Sequence, residues 1–87
     1  MKSKTTVEFR RLYAQLPAEI RRRARKAYLT WQQNPESPGL YFKRVGENAP
    51  IYWVRIGRNY RALGTLRGDT VTWYWIGKHE DYERMLK

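Results

Sequence analysis

The chain changes its hydrophobic period once, at the segment "NPESPG" (34–39), which is dense in residues that break helices and strands. After this segment the chain consists of short runs rich in aromatic and β-branched residues, separated by "GENAP", "GRN" and "RGDT". Runs of this kind with tight turns between them predict an antiparallel meander. The four predicted strands cover residues 40–45, 51–56, 60–66 and 71–76.

Two helices are predicted before the loop. The segment "TTVE" (5–8) fits a capping box, with Thr5 as the N-cap and Glu8 reaching back to it. Apolar residues then recur at helical spacing as far as Leu16. Pro17 ends this helix and is expected at the first position of the second one. The apolar face of the second helix contains Ile20, Ala24, Ala27, Tyr28 and Trp31.

The outer side of the second helix is basic, in a chain whose formal net charge is +10. Eighteen Lys and Arg residues oppose eight Asp and Glu, and twelve of the eighteen are Arg. The planar guanidinium donates two hydrogen bonds at once to a phosphate, so a nucleic acid or an acidic protein is the expected partner. A merely solubilising surface is the alternative. On this helix we expect contacts to substrate from Arg21, Arg22, Arg25 and Lys26.

The last segment, "HEDYERML" (79–86), predicts a short C-terminal helix with acidic residues in its first turn. The chain is therefore predicted to be one α+β domain covering residues 1–87. Its two N-terminal helices and the short C-terminal helix are expected to pack on one face of a four-stranded antiparallel sheet.

Several classes of protein are excluded by what the sequence does not contain. The chain has no cysteine, which argues against a disulfide framework and a thiolate metal site. The N-terminal "MKSKTT" has no apolar run behind it, and no stretch approaches the length of a membrane span. We therefore expect a cytoplasmic protein with no membrane partner.

The turn lengths predict which residues face each other across the sheet. Closing "RGDT" as a tight turn pairs Leu66 with Val71, and counting outward along this hairpin brings Arg61 opposite Ile76. A three-residue "GRN" loop brings Arg55 opposite Arg61, whereas a two-residue turn would put them on opposite faces. Because like charges directly across a strand pair are destabilising, the first arrangement indicates that an anion binds between them.

On this register Arg55 and Arg61 converge with Lys78 and His79 at one end of the sheet. Tyr82 and Glu80 follow within a turn of the last helix. Cations for a phosphate, with His, Tyr and Glu for proton transfer, suit metal-free cleavage of an RNA phosphodiester, in which the 2′-hydroxyl is the nucleophile.

Structural roles remain open for each member of this group. His79 could serve as a capping residue and Tyr82 could pack its ring under the final helix. The two arginines could face outward for solubility, and Glu80 could act only on the helix dipole.

The chain resembles the RelE/ParE toxin superfamily of bacterial type II toxin–antitoxin systems. The resemblance covers nearly the whole chain, and its most specific parts are "RIG" (55–57), "YR" (60–61) and "GKH" (77–79). Many members begin with an extra strand before the first helix, whereas here the helix signal starts at Thr5. Lys78 separates Gly77 from His79, and Tyr82 follows His79 after a short interval.

The resemblance favours the RelE-like branch, whose members cut mRNA in the ribosomal A site without a cofactor. By motif, Arg61 would clamp the phosphate in the transition state and Arg55 would contact it as well. His79 and Tyr82 would match the proton-transfer positions, and Lys43 would be an auxiliary positive charge. The alternatives are a ParE-like toxin, which binds DNA gyrase and cuts nothing, and a non-catalytic basic domain that binds nucleic acid.

The resemblance also implies a cognate antitoxin. We expect a monomeric free toxin that forms a hetero-oligomer with an acidic, amphipathic antitoxin, besides its contacts to the ribosome and mRNA. The antitoxin would use a groove between the helices and the sheet, or the open edge at residues 40–45, and would cover or displace residues 79–86.

Overall fold

The computed structural model describes residues 1–85 of the chain. Leu86, the end of the predicted final helix, lies outside the described residues. In chain order the elements are β1 (Lys2–Thr5), α1 (Val7–Ala14), α2 (Ala18–Gln33), a 3₁₀ turn (Pro38–Leu40), β2 (Lys43–Arg44), β3 (Ile51–Ile56), β4 (Tyr60–Arg67), β5 (Thr70–Lys78) and α3 (His79–Met85).

The sheet has five strands in the order β1-β5-β4-β3-β2. The strands β2 to β5 form the predicted antiparallel meander, and β1 adds a parallel pairing with β5 from Lys2↔Thr70 to Thr5↔Trp73. The prediction of a four-stranded antiparallel sheet was therefore wrong by one strand. The sequence "KSKT" gives no signal for β1, because an exposed edge strand needs no apolar alternation and lysines are common on such edges.

The first helix begins one residue later than predicted. Thr6, not Thr5, is the N-cap, and its hydroxyl accepts a hydrogen bond from the backbone N–H of Phe9 at 3.0 Å. Thr5 is the last residue of β1. Pro17 occupies the N-cap position of α2 rather than its first helical position.

The larger core lies between the two N-terminal helices and one face of the sheet, here called the helix face. Trp31 of α2 is 1% exposed and packs edge to face against Trp73 of β5, with ring centres 5.4 Å apart. Burial of such aromatic side chains contributes most of the stabilisation in a core of this size. The core residues are Ala24, Trp31, Leu40, Val54, Ile56, Ala62, Val71, Trp73 and Ile76.

A second, smaller cluster lies on the opposite face, here called the site face. It contains Trp53, Leu63 and Tyr82, so α3 packs on the side of the sheet away from α1 and α2. The expectation that all helices share one face was wrong, because successive side chains of β3 alternate and Trp53 and Arg55 point away from Val54. No helix of residues 1–85 is long and apolar enough to cross a membrane.

The predicted first strand of the meander is much shorter than expected. Residues 43 and 44 alone form β2, since Leu40 ends the 3₁₀ turn and Tyr41 has left-handed backbone angles with φ 49°. The edge of the sheet beside the end of β3 is therefore open to side chains from the preceding loop.

The register of the central hairpins is partly as predicted. Leu66 pairs with Val71 and Arg55 pairs with Arg61, but Arg61 pairs with Gly77 rather than Ile76. A bulge beside Gly64 shifts the pairing of β4 with β5 by one residue. A Cβ on Gly64 would lie 2.7 Å from Val71 Cγ1, which is why a glycine is required there.

Candidate active site

The site is built on the end of the β3–β4 hairpin. Three residues, 57–59, connect the strands, and Gly57 has a φ of 71°, a region that glycine enters without the penalty of a Cβ. This loop length brings Arg55 and Arg61 directly opposite each other on the site face. Two cations in this position repel each other unless an anion lies between them.

Arg61 is the buried member of the pair, at 9% exposed. Its Nη1 donates to the carbonyl of Tyr60 at 2.8 Å, while its Nε is buried with no hydrogen-bond partner. Burial, and secondarily the charge of Arg55, lower the pKa of Arg61. A guanidinium stays protonated in proteins all the same, so the lowered pKa measures how unfavourable this cation is without a counterion.

Trp53 forms the floor of the site. The guanidinium carbon of Arg61 lies 4.7 Å from the centre of the Trp53 ring, and Lys43 Nζ lies 5.1 Å from it. Lys43 reaches this position because it pairs with Trp53 across the β2–β3 ladder. The negative face of an indole attracts cations, so one ring holds two positive charges at the site.

His79 opens α3 at the point where β5 ends. Its backbone N–H donates to the carbonyl of Asn59 at 2.7 Å, which attaches α3 to the β3–β4 loop. Its Nε2 lies 2.8 Å from Glu83 Oε1, one helical turn on. Its Nδ1 is buried without a partner, so the ring has one nitrogen engaged and one unused.

Tyr82 lies beside His79 and above Trp53. It is 8% exposed, and its ring centre lies 5.6 Å from that of His79 and 5.9 Å from that of Trp53. Burial raises the pKa of Tyr82; the positive charge of Arg61 opposes this increase and the negative charge of Glu83 adds to it. The phenol is therefore neutral at physiological pH and able to donate a proton.

Arg55 borders the site at the open edge of the sheet. Its Nε donates to the carbonyl of Gly57 at 3.1 Å, and its guanidinium carbon lies 5.5 Å from the ring centre of Tyr41. These two contacts orient the side chain while leaving its terminal N–H groups available to a ligand.

Other predicted members do not join this group. Lys78 pairs with Tyr60, one residue beyond the Arg61–Gly77 pair, so the alternation of the strand directs it to the helix face. Glu80 is exposed in the first turn of α3, as expected for an acid that acts on the helix dipole.

The basic residues of α2 have divided roles. Arg21 donates to the carbonyls of Ala14 and Leu16, which satisfies the C-terminal end of α1. Arg25 donates to the hydroxyl of Tyr13 at 2.7 Å. Two further predicted substrate contacts on this helix remain exposed, Arg22 and Lys26.

Arg55, Arg61 and Lys43 have no acidic partner among the described residues. The ion pairs found in residues 1–85 are Glu8–Arg11, Glu19–Arg23, His79–Glu83 and Asp81–Arg84. Excess positive charge, an unused N–H and partly excluded water give the site the properties of an anion-binding site.

Sequence reasoning missed two residues of the site and a third beside it. Glu83 could have been found from its i, i+4 spacing to His79, which is the spacing of side chains that meet on a helix. Trp53 carried no signal that distinguished it from the other aromatic core residues. Tyr41 carried none either, because its contact with Arg55 depends on left-handed backbone angles in a loop.

The sequence matches one family model, described as a ParE-like toxin domain, over residues 18–84. No curated protein matches it.

Solved structures with the same fold include a chain of the RelB–RelE antitoxin–toxin complex from Methanococcus jannaschii. It is 21% identical with a TM-score of 0.75, and the match covers 97% of this chain and 99% of that one. The YoeB/ParE toxin from Agrobacterium tumefaciens is 14% identical with a TM-score of 0.71, covering 91% and 99%. A chain of the toxin–antitoxin complex RelBE2 from Mycobacterium tuberculosis is 22% identical with a TM-score of 0.69, covering 90% of each.

Proposed function

Because the chain belongs to the ParE-like toxin domain family, we propose that this toxin of a toxin–antitoxin system is a ribosome-dependent mRNA endoribonuclease. It would act in the cytoplasm on mRNA in the ribosomal A site. The structures it is similar to include complexes of a toxin with its antitoxin, which supports a cognate antitoxin as the second partner.

The observation that carries the proposal is the state of Arg61. The fold buries this cation, pairs it with a second cation, Arg55, and leaves its Nε unused. Such an arrangement is unfavourable in the free protein and becomes favourable when a phosphodiester enters, because its single negative charge is shared by two non-bridging oxygens that accept hydrogen bonds.

The proposed reaction is an internal transfer at phosphorus. The 2′-oxygen of the RNA attacks the adjacent phosphorus and loses its proton, the bond from phosphorus to the 5′-oxygen breaks, and that oxygen gains a proton. The products are a 2′,3′-cyclic phosphate and a 5′-hydroxyl. Arg61 would bind the non-bridging oxygens as negative charge accumulates on them, and Arg55 and Lys43 would add to this stabilisation.

Two side chains that pack with Trp53, the ring that Arg61 also contacts, would transfer the protons. Glu83 accepts from Nε2–H of His79, which leaves the lone pair on Nδ1, the ring nitrogen without a partner. His79 would therefore accept the proton of the 2′-hydroxyl at Nδ1, after a rotation of its ring exposes this buried atom to the substrate. Tyr82, whose pKa is raised by burial, would donate to the departing 5′-oxygen.

The test is a brief expression of the wild-type chain and of Arg61→Gln, followed by mapping of transcript ends and measurement of DNA supercoiling. We expect new 5′-hydroxyl ends inside translated frames with the wild type, and a cleavage rate lower by at least about 100-fold with Arg61→Gln. Arg67→Gln, an exposed arginine at the other end of β4, is the matched control and should cleave normally.

Cleavage by Arg61→Gln at the wild-type rate would show that the site is assigned wrongly. The matching family model is named for ParE, so a binding-only inhibitor of DNA gyrase is the second candidate. Loss of supercoiling with intact transcripts would favour that function over cleavage.

A further inference from the structure

Three arginines converge on Gly57, and one of them comes from outside the site described above. The carbonyl of Gly57 accepts from Arg55 Nε at 3.1 Å and lies 3.5 Å from Arg61 Nη1. From α2, Arg23 brings its Nη1 within 3.1 Å of where a Cβ of residue 57 would be. The absence of a side chain at Gly57 therefore lets α2 place a guanidinium against the hairpin turn.

A cavity of about 370 Å³ lies between α2, the 3₁₀ turn and this hairpin turn. Arg23, Lys26 and Arg55 line it, together with the hydroxyl-bearing residues Thr30 and Ser37. Arg55 thus borders this cavity, here called the α2 cavity, while it also pairs with Arg61 on the site face. The two sites are neighbours that share one cation.

The charges around the α2 cavity are not balanced within the described residues. Glu19 is the single acid paired there, at 3.2 Å from Arg23 on the exposed side of α2. One carboxylate opposes three cations, and the lining donors include N–H and hydroxyl groups that suit phosphate oxygens.

We propose that the α2 cavity binds the RNA phosphate backbone next to the scissile phosphate. This inference rests on the proposed function and adds to it a direction for the substrate: from Arg61, past Arg55, to Arg23 and Lys26. A phosphodiester chain presents a charge at every nucleotide, so a strand held at Arg61 brings its next phosphates to a neighbouring basic cavity. Arg23 is the new member of this path, and Lys26 receives a defined position in it.

The experiment measures binding of single-stranded RNA of about 4 and about 12 nucleotides as salt is varied. A 2′-O-methyl group on each ribose blocks the attacking hydroxyl and so prevents cleavage of these probes. The variants are Arg23→Gln, Lys26→Gln and the double variant. The matched controls are Arg67→Gln and Lys4→Gln, which remove the same charges from exposed positions on β4 and β1.

We expect each α2 variant to reduce the slope of log K against log salt by about 0.7 for the longer RNA, and the double variant by about 1.4. The shorter RNA should be affected less, because its few phosphates can bind at Arg61 and Arg55 in registers that leave the α2 cavity empty. The controls should keep the wild-type slope. Folding is checked by circular dichroism, since Arg23 and Lys26 are exposed and their loss should leave the fold intact.

If the α2 variants and the controls change binding equally, the α2 cavity is not a phosphate site, while the proposed cleavage activity stands. If the wild type does not bind RNA and does not cleave transcripts on the ribosome, the proposed function is wrong and this inference fails with it. The two failures are therefore distinguishable in one set of measurements.

Discussion

At the scale of single residues, Arg61 shows how this fold maintains a charge that is unfavourable in the free protein. Burying an ionised group without a partner costs several kcal/mol, and a like charge opposite adds to this. The carbonyl of Tyr60 and the ring of Trp53 offset part of the cost, through a hydrogen bond of 2.8 Å and a cation–π contact of 4.7 Å. The part of this cost that is not offset is removed when an anion binds to Arg61.

Tyr82 leads to a prediction about alkaline stability. Its pKa is raised in the folded chain, so the folded state keeps the phenolic proton at a pH where the unfolded state releases it. The free energy of unfolding should therefore be constant up to about pH 10, the pKa of an unperturbed tyrosine, and fall as the pH rises further.

Urea denaturation of the wild type and of Tyr82→Phe at neutral and alkaline pH measures this. Tyr82→Phe should show a smaller alkaline loss, and Tyr41→Phe, which removes an exposed phenol, should behave as the wild type does. If the free energy of unfolding falls equally at alkaline pH in Tyr82→Phe and in the wild type, the raised pKa of Tyr82 is not the cause of the loss.

The pairing of Arg55 with Arg61 could be predicted from the sequence, because it depends on the length of one short loop. The pairing of Arg61 with Gly77 could not, because it depends on a bulge whose one sequence signal is Gly64 inside a strand. The role of Trp53 under Arg61 could not be predicted either, since Trp53 has the same local pattern as the aromatic residues that fill the other core.

At the scale of elements, the start of α1 lies at one of two adjacent threonines, Thr5 and Thr6, which the sequence does not distinguish as N-caps. Either could cap the helix, and the choice depends on β1, whose pairing with β5 takes Thr5 into the sheet and leaves Thr6 at the N-cap. A short parallel edge strand with two lysines has no hydrophobic period, so tertiary pairing decides its structure.

The capping assignment predicts unequal effects of two neighbouring substitutions. Thr6→Ala removes the oxygen that accepts from the N–H of Phe9 and should lower the free energy of unfolding by about 1 kcal/mol. Thr5→Ala removes an exposed contact with Arg10 and should have a smaller effect. Chemical denaturation of both variants decides the matter: a larger loss in Thr5→Ala would mean that the helix begins one residue earlier.

At the scale of the whole molecule, the predicted α+β class and the order of the meander were confirmed, while the sides on which the helices pack were not. Amphipathicity shows that a helix buries a face, but not which side of a sheet it covers. The position of α3 depends on the contact of Tyr82 with Trp53 on the site face, between residues far apart in the sequence, and no local pattern contains such a contact. This contact helps to form the site, because it places the His79 ring 6.4 Å from the Trp53 ring, which also contacts Arg61.

The net charge of +10 leads to the last prediction, which concerns the antitoxin. A partner that binds this surface through charge alone would lose affinity with salt as steeply as RNA does. The chain also offers apolar area on α2: Leu29 is 60% exposed, and Tyr28, which is 39% exposed, lines a cavity of about 410 Å³ whose other lining residues are mainly aromatic and aliphatic. An acidic and amphipathic antitoxin could use both, and hydrophobic burial is not weakened by salt.

We therefore expect the complex with the antitoxin from the same operon to persist at a salt concentration that abolishes RNA binding, as measured by titration of the purified chain at low and high salt. Leu29→Asn removes apolar area without changing the charge near Lys26, so it should weaken binding of the antitoxin and leave that of RNA nearly unchanged. Arg67→Gln, which removes an exposed positive charge on β4, serves as the charge control. If both complexes dissociate over the same range of salt, the antitoxin is held by charge alone.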